Sequence, residues 1–313
     1  MNQEPSLRYF FIPLWLISLG IPILIVGILI LISTGVIFAI KEDLQDNFSK
    51  LSSKLEEKRR VWSKAKKDTL RKLNHILIFI GLLFVWYIGL ILVHIFTGSS
   101  TGMIPEENNM FLLYLRIINE PNSIKEVLFS LGWFYYILFF FFYIMTIFML
   151  SNEFARKSKR FYFPFTFFTK IYLSEDEKQN YGTYLYFAIG QMFAAFVCPP
   201  MIFFMILGTA SISDLATSQV GIRFGKRHLR WNQNKTWEGT MAGTVVTLIL
   251  GFIFVGIFWS LIFALVFLAI DILTNRPINL SDNFLIPIGF SLVYLFIRFV
   301  FNLNYYTIIL FWI

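Results

Sequence analysis

A chain of 313 residues that is 57% hydrophobic, 19% aromatic and 15% charged is too apolar for a soluble domain, where about 45–50% apolar and about 25% charged residues are usual. Its apolar runs are continuous and do not alternate with polar residues, which excludes a transmembrane β-barrel and leaves an all-α, polytopic transmembrane helical bundle. The single cysteine, Cys198, excludes an intrachain disulfide framework, and the net charge of +8 sits in loops between apolar runs, where it reads as cytoplasmic retention and not as nucleic-acid binding.

Residues 10–40 form the first apolar run, expected as an anchor and not as a cleaved signal. Segment 41–74 is expected as a polar helix, with Leu44, Phe48, Leu51 and Leu55 on one stripe. Between 41 and 75 there are eleven basic and six acidic residues, so the segment is expected in the cytoplasm and the N-terminus outside. Spans are expected at about 76–97 and 129–150, joined by an outer loop with only Arg116 and Lys125 as cations. Arg156, Lys157, Lys159 and Arg160 then return the chain to the cytoplasmic side.

The apolar run from Thr183 to Ser213 is broken by Pro199-Pro200, and proline removes a backbone donor and clashes with the preceding turn. Two short helices meeting near the outer face are therefore expected. The loop 215–239 is basic and cytoplasmic in this reading. Residues 240–270 suit a second pair of helices turning near Gly256, and a last span covers about 284–304. The sum is about eight spans in one membrane domain with no separating linker, divided into an N-terminal region 1–178 and a second region 179–313. Their parity brings Asp214, Lys235, Glu238, Asp271 and Asp282 to one face.

Placed on a helix, Asp214, Ser218, Gly221 and Gly225 fall on one stripe. Glycines let a phosphate approach the backbone, and Arg223, Lys226, Arg227 and Arg230 add charge against a polyphosphate. The same Gly221-x-x-x-Gly225 and Gly239-x-x-x-Gly243 spacings equally suit small-residue helix packing. Lys235 and Glu238, three apart, are expected to pair on one helix face, with Asn234 as the cap. No GxxxxGK[ST] loop occurs, so a conventional P-loop is excluded.

The run Asp214-Leu-Ala…Gly221-x-Arg-Phe-Gly225-Lys226, then Asn234-Lys-Thr-Trp-Glu-Gly-Thr240, then Asp271 and Asp282-Asn283-Phe-Leu-Ile-Pro287, resembles the CTP-dependent polyprenol kinase family, which includes dolichol, phytol and CTP-using diacylglycerol kinases. The resemblance covers roughly residues 180–305. Ser213 stands where the family commonly has glycine, and Asp271 where glutamate is more usual. Lys-Thr-Trp-Glu-Gly is also typical of phosphatidate cytidylyltransferases, but their C-terminal His-Gly-Gly-x-x-Asp-Arg signature does not occur after residue 240.

What the resemblance implies is transfer of the γ-phosphoryl group of CTP to a membrane lipid alcohol. Asp214 and Asp282 are then expected to hold Mg²⁺, and Asp214, Lys235, Glu238 and Asp282 to be catalytic. Gly221, Arg223, Gly225, Lys226, Lys235 and Asn283 are expected to bind nucleotide. Glu238 would either position Lys235 or accept the lipid hydroxyl's proton. Formation of a CDP-lipid, or a non-catalytic transporter or scaffold, are the alternatives.

Overall fold

The computed structural model describes residues 61–97, 133–157, 180–230, 232–274 and 280–305. It also describes 25–33, 36, 50–51, 53–55 and 57–58, and the single positions 111, 166 and 173. The expected first apolar run and the outer loop therefore lie largely outside the described residues, as does the start of the polar helix at 41–49. Among these the secondary structure is helical, with one isolated bridge between His228 and Thr236 and no strand.

The helices are α1 (Lys64–Thr97), α2 (Trp133–Lys157), α3 (Thr183–Val197), α4 (Pro200–Gly208), a π-helical turn (Thr209–Ser213), α5 (Asp214–Phe224), α6 (Trp237–Val255), α7 (Ile257–Leu273) and α8 (Asp282–Phe301). Five helical stretches are long and apolar enough to cross a membrane: Ala65–Gly89, Leu138–Lys157, Pro200–Phe224, Trp237–Val255 and Asp282–Phe301. The apolar helices α3 and α7, of 15 and 17 residues, are shorter. Five such stretches among the described residues, and not eight, are what the helices support.

Both expected breaks are present. Pro199, extended at φ −67° and ψ 160°, ends the α3 run and starts α4, where Pro200 occupies the first turn and its missing N–H costs nothing. Gly256 has φ 85°, a conformation that side chains resist, and it reverses the chain between α6 and α7. An added Cβ at Gly251 would lie 2.7 Å from the Ser260 backbone, so the two arms of this hairpin touch.

Two boundaries differ from expectation. The charged stretch ending at 74 and the span starting at 76 are one helix, α1, because Lys64–Asn74 contains no breaker. The loop expected at 215–239 begins ten residues later: α4, the π turn and α5 run on as one rod to Phe224.

At the centre lies α4, in which every residue from Pro200 to Gly208 is buried, packed by α1, α3, α6 and α8. In lipid such packing is driven by close van der Waals fit and not by expulsion of water. Phe263 and Phe290 stack with centroids 5.0 Å apart, Trp86 tilts on Phe204 at 5.4 Å, and Trp259 Nε1 donates to the Asn304 carbonyl at 3.0 Å. The outward surface carries Leu77, Ile80 and Phe84 of α1, Val245 and Ile249 of α6, and Phe296 and Phe299 of α8. A soluble monomer rarely exposes apolar area on this scale; a lipid-facing belt does so by design.

Candidate functional site

At the end of the bundle where α6 and α8 begin and α7 finishes, buried charges converge. Lys72 of α1 reaches across to α5, where its ammonium lies 2.8 Å from Asp214 Oδ1 and donates to the Asp214 backbone carbonyl at 2.8 Å. Asp68, one turn earlier on α1, is 4.0 Å from Lys72, pairs with Arg71 at 3.1 Å and accepts from Gln219 Nε2 of α5 at 3.3 Å. Neither Lys72 nor Asp68 was expected in a site. Their signal was present, since Asp68 and Lys72 stand at i, i+4, but it was submerged in a run of cations that serves equally well to set topology.

The second group centres on Lys235. Its ammonium lies 2.5 Å from Asp271 Oδ1 and 3.6 Å from Asp282 Oδ2. Asp271 also accepts from Thr240 Oγ1 at 2.5 Å, and Asp282 Oδ1 accepts the Asn283 N–H at 3.0 Å. Burial opposes the charge on Lys235, yet the Asp282 and Asp271 carboxylates together hold its ammonium above the ordinary lysine range. The side chain of Asp282 is 24% exposed against 8% for Asp214 and 3% for Asp271, so it is the open carboxylate of the cluster.

Lys235 is delivered by a small folded loop. The Leu229 N–H donates to the Lys235 carbonyl at 3.0 Å, Trp237 N–H to Arg227 at 2.9 Å, and Asn232 Nδ2 to the Thr274 carbonyl at the end of α7 at 2.8 Å. Asn232 thereby satisfies a helix-end carbonyl and fixes the loop to α7. Thr236, extended at φ −123° and ψ 148°, caps α6 by accepting from Gly239 N–H at 3.3 Å. The expected cap, Asn234, is instead an exposed turn residue.

The expected Lys235–Glu238 pair is not formed. Because Thr236 is extended, Lys235 lies outside the helix and does not share a face with Glu238. Glu238 accepts the Arg227 backbone N–H at 3.2 and 3.3 Å and so braces the loop. Gly221 and Gly225 are also less open than a phosphate cradle requires. An added Cβ would meet Thr236 Oγ1 at 3.1 Å from Gly221 and at 2.7 Å from Gly225, while Gly239 and Gly243 abut Thr217. These glycines form the seam between α5 and α6. Ser218 donates to the Leu215 carbonyl on its own helix.

Formally, Asp68, Asp214, Asp271 and Asp282 face Lys72, Lys235 and Arg71, one negative charge in excess. Arg223, Lys226, Arg227 and Arg230 stand exposed at the end of α5 and on the following loop. The cluster is thus acidic and packed, and the loop that delivers Lys235 to it carries exposed cations. Among the described residues no three histidine, cysteine or carboxylate side chains converge on a point that would hold a metal by themselves. No protein-family model, curated protein or solved structure matches this chain.

Proposed function

We propose that this protein is an integral-membrane phosphotransferase that moves the γ-phosphoryl group of CTP to the hydroxyl of a membrane lipid alcohol. The face in use would be the one that positive charge assigns to the cytoplasm. The observation that carries this reading is the layered charge: a buried lysine–carboxylate cluster and, on the loop that delivers Lys235 to it, exposed cations. Phosphoryl transfer asks for alignment and charge neutralisation more than for covalent chemistry, and such layering supplies both.

Arg223, Lys226 and Lys235 would take phosphate oxygens. The hard oxygen donors of Asp282 and Asp214 suit Mg²⁺, which commonly keeps one or two protein carboxylates and takes its other ligands from phosphate and water. Bound there, it would offset charge on the transferring group. Asp282 is open enough to share it, whereas Asp214 is held in place by Lys72. Gly221 and Gly225 set the spacing of α5 and α6, and Glu238 braces the loop, so neither proton transfer nor phosphate contact is assigned to them. In the reaction the lipid oxygen gains its bond to the γ-phosphorus as the bridge to the β-phosphate breaks. The hydroxyl proton is released and CDP leaves.

Purified protein in lipid vesicles containing polyprenol, phytol-like alcohol or diacylglycerol, given CTP labelled in turn at the α and γ positions, tests the reading. γ-Label in lipid is the expected result. α-Label in lipid would instead mean synthesis of a CDP-lipid, and neither label would leave a transporter or scaffold. Asp214→Asn should abolish γ-transfer in folded protein; full activity in that variant would overturn the role given to Asp214.

A further inference from the structure

Immediately inward of the charged cluster lies a tier of neutral polar groups without partners. His75, three residues further along α1 than Lys72, is 8% exposed, and its Nδ1 has no hydrogen bond. Its ring is fixed by a parallel stack on Phe187 of α3, with centroids 3.9 Å apart and planes 3° apart. Gln191 lies one turn after Phe187 on the same side of α3, fully buried, and both its amide oxygen and its amide nitrogen are unpaired.

A third group comes from α8. Pro287 supplies no N–H, so the Asn283 carbonyl loses the donor that a regular helix would give it. That carbonyl faces Gly190, the neighbour of Gln191, where an added Cβ would lie 3.0 Å from the oxygen. Buried polar atoms are normally satisfied, and leaving one unmet costs about 1–3 kcal/mol. Here α1, α3 and α8 each contribute one such group, linked through the His75–Phe187 stack and the close approach of Gly190 to Asn283.

We infer that this tier is the acceptor subsite and that it takes an uncharged hydroxyl carried on a lipid chain. A hydroxyl donates one hydrogen bond and accepts others, which matches His75 Nδ1 and the Asn283 carbonyl as acceptors and the Gln191 amide as donor. The groups are neutral, so a phosphate or carboxylate head would be desolvated here with no countercharge. The tier lies on the lipid-core side of Lys72, so an alcohol entering between helices reaches it before the ions. The inference deepens the phosphotransferase reading and rests on it for the chemistry, but the binding itself is testable alone.

The test uses His75→Phe, which keeps the aromatic stack, and Gln191→Leu. In both, CTP binding and CTP hydrolysis by water should stay within about twofold of wild type, while lipid phosphorylation falls about tenfold or more with a raised KM for the alcohol. Unchanged lipid phosphorylation, or equal loss of hydrolysis and lipid transfer, would overturn the inference. A long-chain primary alcohol with a diazirine beside its hydroxyl is the second probe. It should label peptides containing His75 or Gln191 in wild type, label Gln191→Leu weakly, and be displaced by the unlabelled alcohol better than by its methyl ether. Equal displacement by the ether would mean that the chain alone is held and that water fills the polar tier. If wild-type protein transfers no label from CTP, the phosphotransferase reading fails, and the labelling result still decides whether the subsite exists.

Discussion

The two lysines of the site sit in contrasting surroundings. Lys72 joins two long helices, is 8% exposed, and is held by both the side chain and the backbone of Asp214. Lys235 rides on a loop, is 11% exposed, and divides itself between a buried Asp271 at 2.5 Å and a more open Asp282 at 3.6 Å. A lysine saturated by close partners braces; one with a long, solvent-facing contact has room to change partner. The difference makes Lys72 a brace between helices and Lys235 the lysine that, in the proposed function, meets an incoming phosphate.

Lys72→Met breaks this comparison most severely. It strands Asp214 as an uncompensated buried charge, a loss of about 3–5 kcal/mol by denaturation in micelles. The double variant Lys72→Met/Asp214→Asn should recover more than half of it, and a stable single variant would show that Lys72 is no brace. Gly243→Ala strikes the same side through packing, since its new Cβ would fall within contact distance of Thr217 and 2.7 Å from the Phe267 ring. Overpacking there should cost about 1–3 kcal/mol. Gly81→Ala, with nothing within 4 Å, is the control that should be neutral or better.

On the other side, Lys235→Ala should cost less stability than Lys72→Met, because Asp271 keeps its Thr240 bond and Asp282 is open to water. It should raise the KM for CTP about tenfold, close to 1.4 kcal/mol. Unchanged CTP dependence would erase the distinction between the lysines. Thr236→Ala removes the α6 cap and should lower stability by about 1 kcal/mol, with the CTP dependence moving more than the melting point because Lys235 is its neighbour.

Much of this was legible without coordinates. Pro199-Pro200 and Gly256 break apolar runs for backbone reasons that hold in any surroundings, so both helix pairs could be read from the chain. The meeting of Lys235, Asp271 and Asp282 followed from counting crossings. What escaped depended on partners distant in sequence. Lys72 looked like one cation among eleven, and only its pairing with Asp214, 142 positions away, separates it from Lys66 or Lys67. Glu238 is Lys235's natural partner by spacing, but the spacing rule holds only inside a helix, and Thr236 is not helical. The stripe holds for Asp214, Ser218 and Gly221 on α5, whereas Gly225 is the extended residue that ends the helix, and both glycines accommodate Thr236 at the start of α6.

The π-helical turn at Thr209–Ser213 has a consequence for how the rod is oriented. A wider turn inserts about one residue relative to α-helical winding, and each residue advances the azimuth by about 100°. The turn therefore works as a phase shifter between α4, which is buried on every side, and α5, which must aim a carboxylate at α1. Deleting a single residue from it would keep both segments helical and apolar yet rotate Asp214 away from Lys72. The bearing of the site is thus encoded in a residue count, independently of which side chains fill the core.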